Sequence, residues 1–134
     1  MKIYQDLRNK GFRITSQRES VMKALSSSPL TAEEIYKKLK GDSVDIDLAS
    51  VYRTLELFIK FGVIKELFFN DSIKRYEIID HNDHHHHLIC TECGSIEDIA
   101  LSLEKKFIKE IKNKSKFKVE KHSLEFFGIC RKCQ

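Results

Sequence analysis

Two C-x-x-C pairs carry the most concentrated chemistry in this chain, Cys90 with Cys93 and Cys130 with Cys133. Four thiolates at such spacings suit tetrahedral zinc, and a closed sulfur shell leaves no coordination position for a substrate. A site of this kind would tie the turn after one strand to the C-terminal residues. The alternatives are four free thiols or a redox pair. A second concentration is the internal run His84-His85-His86-His87, directly before Leu88-Ile89-Cys90. On a strand, successive side chains point to opposite faces. His84 and His86 would then face one way and His85 and His87 the other, so one stretch can feed two metal sites. Imidazole suits zinc, iron, nickel and copper alike. Carboxylates must complete such sites, and Glu77, Asp80, Asp98 and Glu104 are the candidates, with His122 as a further ligand.

A third signal is the stretch Leu48-Ala49-Ser50-Val51-Tyr52-Arg53-Thr54-Leu55. Tyr52 and Arg53 sit near the start of a helix, where a recognition helix reaches base edges. Arginine can bond guanine bidentately, and tyrosine can lie on a thymine methyl or bond a phosphate. A surface Tyr-Arg pair is the plainer reading of those two residues taken alone.

The elements that must position these groups follow from periodicity and capping. Ser16 to Leu25 is expected as a helix, with Thr15 as its N-cap and Val21, Met22 and Leu25 on one side. Ser26-Ser27-Ser28-Pro29 breaks it. Thr31-Ala32-Glu33-Glu34 matches a capping box that opens a second helix with Ile35, Tyr36 and Leu39 inward. Gly41-Asp42-Ser43 ends that one. Leu48 to Phe61 carries the apolar stripe Val51, Leu55, Phe58 and Ile59, and Gly62 is a suitable terminator. The period then changes. Val63 to Phe69 and Lys74 to Ile79 read as strands joined at Asn70-Asp71-Ser72. Helix, turn, helix and hairpin is the order of a winged helix-turn-helix. Asp80-His81-Asn82-Asp83 reads as a hinge. Beyond it, His84 to Cys90 is expected as a strand, Leu101 to Lys114 as an amphipathic helix, and Phe117 to Ile129 as a strand whose apolar phase slips, as at a bulge. A sheet of so few strands is marginal alone, and pairing edges across a two-fold axis would complete it, so a homodimer is expected.

The chain has 134 residues, of which 41% are hydrophobic and 33% charged, with a net charge of +4. That allows a packed core and excludes a disordered polyelectrolyte. No apolar run is long enough to span a bilayer, and residues 1–6 lack the apolar segment of a secretory signal, so a cytoplasmic protein without membrane contact is expected. The charge is uneven. Lys2, Arg8, Lys10, Arg13, Arg18 and Lys23 face only Asp6 and Glu19 in the first 23 residues. Such a run permits nucleic-acid binding, although a solvated helix face is the plainer reading of it taken alone.

Taken together, these motifs resemble the ferric uptake regulator (Fur) family of bacterial metal sensors. The resemblance runs through Gly11-Phe12-Arg13-Ile14-Thr15-Ser16-Gln17-Arg18, Thr31-Ala32-Glu33-Glu34-Ile35-Tyr36, the Leu48 to Leu55 stretch, the HHHHLICTECG run and His122-Ser123-Leu124. It implies an α+β chain with a winged-helix DNA-binding half (1–79), a hinge (80–83) and a small α/β metal-binding dimerisation half (84–134). It implies that Tyr52 and Arg53 face the major groove and that Arg13 lies near the minor groove. It implies a structural zinc at Cys90, Cys93, Cys130 and Cys133. It also implies a regulatory site at Glu77, His85, His87 and Asp98, and a further site at His84, His86, Glu104 and His122. Two departures stand out. Pro29 occupies the place where many iron-sensing members carry a histidine, which leaves Glu66, Asp80 or His81 to supply the missing ligand. This looks more like zinc-sensing members, yet their extra hinge cysteine is absent too. His86 stands where an aspartate is often found, making that site richer in nitrogen and more suited to zinc.

The function implied is a repressor of metal-homeostasis genes for iron or zinc uptake, not an enzyme, with Zn2+ as structural metal and Fe2+, Zn2+ or Mn2+ as regulator. Metal at the hinge would hold a homodimer in the arrangement that binds a double-stranded palindromic operator. The alternatives are an iron-dependent peroxide sensor of the same family, a metal buffer and a zinc hydrolase; the last lacks any H-E-x-x-H motif.

Overall fold

Capping chemistry sets the helices of the first half. In the computed structural model, which describes residues 2–26, 28–69, 71–80 and 84–134, helix α1 spans Lys2–Asn9, α2 Ser16–Ala24, α3 Ala32–Gly41 and α4 Leu48–Lys60. The Thr15 hydroxyl accepts from the Arg18 amide and starts α2. Thr31 and Glu34 form both bonds of a capping box at α3, each 3.1 Å. Asp47 accepts the Ser50 amide at 2.7 Å and starts α4. Each cap satisfies an amide that the first helical turn leaves without a partner. Helix α4 stops in a Schellman arrangement. Gly62 takes φ +71°, its amide bonds Ile59 and the Val63 amide bonds Phe58, which only a residue tolerant of the left-handed region permits cheaply.

Strands β1 (Ile64–Phe68) and β2 (Lys74–Ile78) form the antiparallel hairpin, with Ile64 opposite Ile78 and Phe68 opposite Lys74. Leu30 adds a bridge to Tyr76, exchanging both backbone bonds at 3.2 and 2.8 Å. Arg75 is buried within the wing, paired with Asp71 at 2.9 Å and lying over the Phe69 ring. The helices and hairpin close over one core that includes Leu7, Phe12, Val21, Met22, Ile35, Leu39, Val51, Leu55, Phe58, Ile64 and Tyr76. This is the expected winged helix-turn-helix, preceded by α1, which anchors through Leu7.

The chain divides into two compact units, Met1–Asp80 and His81–Gln134. In the second, β3 (His86–Cys90) is the middle strand of a sheet ordered β4-β3-β5, with β4 at Ile96–Ile99 and β5 at Glu125–Gly128. β4 pairs antiparallel to β3, and β5 parallel to it. Helix α5 spans Glu104–Lys114 and bridges the two edges in sequence.

Three expectations change here. The strand expected from residue 84 begins at His86, and the helix expected from Leu101 begins at Glu104. The long strand expected over 117–129 is confined to Glu125–Gly128. The reason is register. Glu125 pairs with His87, the second residue of β3, so residues before 124 have no strand opposite them and no ladder to join. The apolar phase slip is therefore the onset of pairing rather than a bulge. Strand β4 was not anticipated. His81, the remainder of the expected hinge after Asp80, and Asn70 of the expected turn lie outside the described residues. Among the described residues, no helix is long and apolar enough to cross a membrane.

Candidate metal centres and nucleic-acid interface

The sheet of the second unit explains why cysteines forty residues apart meet. β3 ends at Cys90, and Gly94 with φ +73° turns the chain back, its amide bonding the Cys90 carbonyl at 2.9 Å. On the other side, β5 ends at Gly128 opposite Cys90, which delivers Cys130 and Cys133 just beyond. The four sulfurs lie within 4.8 Å of one another, and Cys93 and Cys130 are 3.7 Å apart. A tetrahedral zinc with ordinary Zn–S bonds needs sulfurs about 3.8 Å apart, so the cage already has the right dimension.

Its electrostatics favour anions. The backbone amides of Cys93 and then Cys130 hold the Cys90 thiol down to about 6. The Ser95 hydroxyl and amide lower Cys93. Cys133, which shares its proton with Cys130 and Cys93, is pushed up to about 12. One thiolate is thus preformed and one sulfur carries the proton that a bound cation would displace.

On the histidine strand, alternation separates two groups. His84 Nε2 lies 3.0 Å from a Glu104 oxygen and 3.2 Å from His122 Nε2. His86 Nε2 bonds the other Glu104 oxygen. His86 Nδ1 donates to the Leu124 carbonyl at 3.2 Å, which fixes the tautomer and aims Nε2 at the cluster. These four residues offer three nitrogens and a carboxylate within 4.8 Å of one another. On the opposite face, Asp98 sits opposite His87 across the β3–β4 ladder. Its oxygens lie 3.6 Å from His87 Nε2 and 4.0 Å from His85 Nε2. Asp98 comes from the strand that sequence patterning did not reveal.

In the first unit, Glu77 is buried on β2 and ion-paired with Lys65 at 3.4 Å. Glu66 on β1 pairs with Lys74 at 3.3 Å. Asp80 is exposed at the end of that unit. Helix α4 presents Tyr52 and Arg53 on an exposed side. Arg53 donates to the Ser50 hydroxyl at 3.0 Å, and the Tyr52 hydroxyl donates to Glu33 at 2.6 Å. Arg13 is exposed between α1 and α2, its carbonyl accepting from Arg18 at 2.7 Å. Glu33 was not singled out from sequence. It stands 19 residues from Tyr52, beyond the reach of any local pattern.

Residues 9–127 of the chain are matched by a known family profile, the ferric uptake regulator family. The chain belongs to the ferric uptake regulator family. Its Fur-family relatives include the peroxide-responsive repressor PerR of Staphylococcus aureus, 37% identical over 130 residues, covering 96% of this chain and 86% of that protein. The ferric uptake regulation protein of Bacillus subtilis is 36% identical over 137 residues, covering 98% and 92%. Among solved structures, the Fur of Helicobacter pylori, described as having three functional metal binding sites, superposes with a TM-score of 0.79 at 30% identity over 98% of this chain and 89% of that one. As a Fur-family protein, the chain is a metal-responsive regulator of transcription.

Proposed function

We propose that this Fur-family protein represses metal-homeostasis genes when a divalent cation occupies the His85, His87 and Asp98 group together with Glu77. The observation that carries this is the pair of imidazoles facing one carboxylate on a single sheet face, next to a separate tetrathiol cage. The cage offers only sulfur and suits a permanent zinc. The other group mixes nitrogen and oxygen and suits iron(II), zinc or manganese in exchange. Glu77 comes from the DNA-binding half, so a cation that takes it as ligand couples metal binding to that half. Glu66, Asp80 or His81 is the candidate for the ligand that other members supply from a histidine. The third group, His84, His86, Glu104 and His122, is richer in nitrogen and would hold zinc. Tyr52 and Arg53 read the major groove of a double-stranded operator, Arg13 reaches the minor groove, and a homodimer reads two half-sites.

The test is operator affinity with and without divalent metal, keeping zinc in the tetrathiol cage. Metal is expected to tighten binding by about 5–150-fold, the usual size of a coupling between two sites. His87→Ala and Asp98→Ala should hold affinity at the metal-free value. Unchanged coupling in both variants would overturn this assignment.

The similarity to the S. aureus peroxide-responsive repressor favours a second reading for the same residues. With iron(II) as the resident cation, His85 and His87 lie where peroxide would oxidise an imidazole. Mass spectrometry after exposure to iron and peroxide, showing an added oxygen on either histidine, would select this reading. Unmodified histidines would return the protein to the metal-uptake reading.

A further inference from the structure

We propose that Glu33 is a positioning residue for DNA sequence reading, locking the Tyr52 ring so that its carbon edge, not its hydroxyl, meets the base. The inference rests on the reading of Tyr52 as a major-groove residue and adds to it a second residue from a different helix. The hydroxyl of Tyr52 donates to Glu33 at 2.6 Å, the length of a charge-assisted bond. The bond pushes the two groups apart in acidity, lowering the Glu33 carboxyl and raising the Tyr52 phenol. A neutral donor and a charged acceptor therefore persist together at neutral pH. Glu33 stands in the first turn of α3, where the helix dipole favours its charge.

A tyrosine whose hydroxyl is already committed cannot offer it to a phosphate. What remains for the groove is the ring, and the base feature that suits a ring edge is the thymine methyl. The lock is needed because packing does not supply it. Tyr52 is 38% exposed. Beside it lies a cleft of about 430 Å³ lined by Glu33, Glu56, Glu66, Lys74 and Tyr76 among others. Without the Glu33 bond the ring is free to turn into that space.

The experiment uses the full chain, zinc-loaded, with excess manganese. The probe is a duplex selected from a random-sequence library by the wild-type protein. Each thymine is replaced singly by deoxyuridine, which lacks only the methyl, and the ratio of the two dissociation constants is measured. The wild type should show a ratio of about fourfold at one thymine per half-site, the size expected for burying one methyl group. Tyr52→Ala should bring that ratio to one. Glu33→Ala and Tyr52→Phe should each reduce it, and the double variant should reduce it no further, because the two residues act as one unit. Glu33→Gln, which keeps an acceptor for the hydroxyl, should restore it.

A Glu33→Ala protein that binds thymine and uracil duplexes more tightly by the same factor, keeping the wild-type ratio, would show only relief of charge repulsion and overturn the proposal. So would an unchanged ratio in Tyr52→Phe, a variant that leaves α3 untouched. If Tyr52→Ala keeps every ratio, the major-groove reading of Tyr52 itself is wrong, which is a different failure from the other two.

Discussion

At the scale of single residues, the tetrathiol cage shows how backbone amides prepare a metal site. The amides of Cys93 and Cys130 hold the Cys90 thiol down to about 6, whereas hydrogen bonding to Cys130 and Cys93 pushes Cys133 up to about 12. For Cys90 the folded value lies below the ordinary thiol value of 9.0. Its deprotonation therefore favours the metal-free fold fully above the ordinary value, and that contribution is lost as pH falls through about 6. A consequence for metal loading follows. At pH 7.5 Cys90 is already a thiolate, so zinc should displace fewer than four protons. Calorimetry in buffers of different ionisation enthalpy checks this. Release of four protons would mean that Cys90 is an ordinary thiol.

Helix ends decide most of the first unit. Thr15 and Thr31 are recognisable from sequence because a cap and its amide are three residues apart, and Asp47, which the sequence reading did not single out, caps α4 at the same spacing. The C-terminus of α3 is less expected in its residue type. The Ser43 amide bonds Lys40 and the Val44 amide bonds Leu39, while Ser43 itself sits at φ +59°. This is the Schellman geometry that Gly62 makes after α4, here carried by a residue with a Cβ. The left-handed region costs an ordinary residue about 1 kcal/mol or more relative to glycine. Ser43→Gly should therefore stabilise the protein by up to about 1 kcal/mol, offset in part by the greater freedom of glycine in the unfolded chain. A denaturant midpoint shifted upward with unchanged slope is the expected result. A downward shift would show that the serine side chain contributes more than the strain removes.

For the whole molecule, the apolar surface of the second unit points to assembly. No residue of α5 is buried, and Phe107, Ile108 and Ile111 are exposed, as are Phe126 and Phe127 on β5. β5 is also a sheet edge, with outward backbone groups that want a partner. An exposed apolar helix stripe and an open sheet edge are what an isologous dimer covers. Phe127→Glu should yield monomers in sedimentation equilibrium, with a melting temperature that no longer rises with protein concentration. A dimer that survives this change would place the interface elsewhere.

The sequence by itself determined the local features and the types of chemistry. The Thr15 and Thr31 caps, the stop at Gly62, the switch from helical to alternating periodicity after it, the cysteine pairs and the alternation of the four histidines all depend on residues within a few positions of one another, whereas α5 has no side-chain cap to mark its start. Only the tertiary structure decided which distant groups meet. Glu104 joins His86 from 18 residues away, and His122 reaches His84 from 38. Asp98 arrives on a four-residue strand too short to show a period. Glu33 finds Tyr52 across two helices. Those pairings follow from strand register and from how helices pack. Both are set by the burial of the whole core, so no short window of sequence contains them.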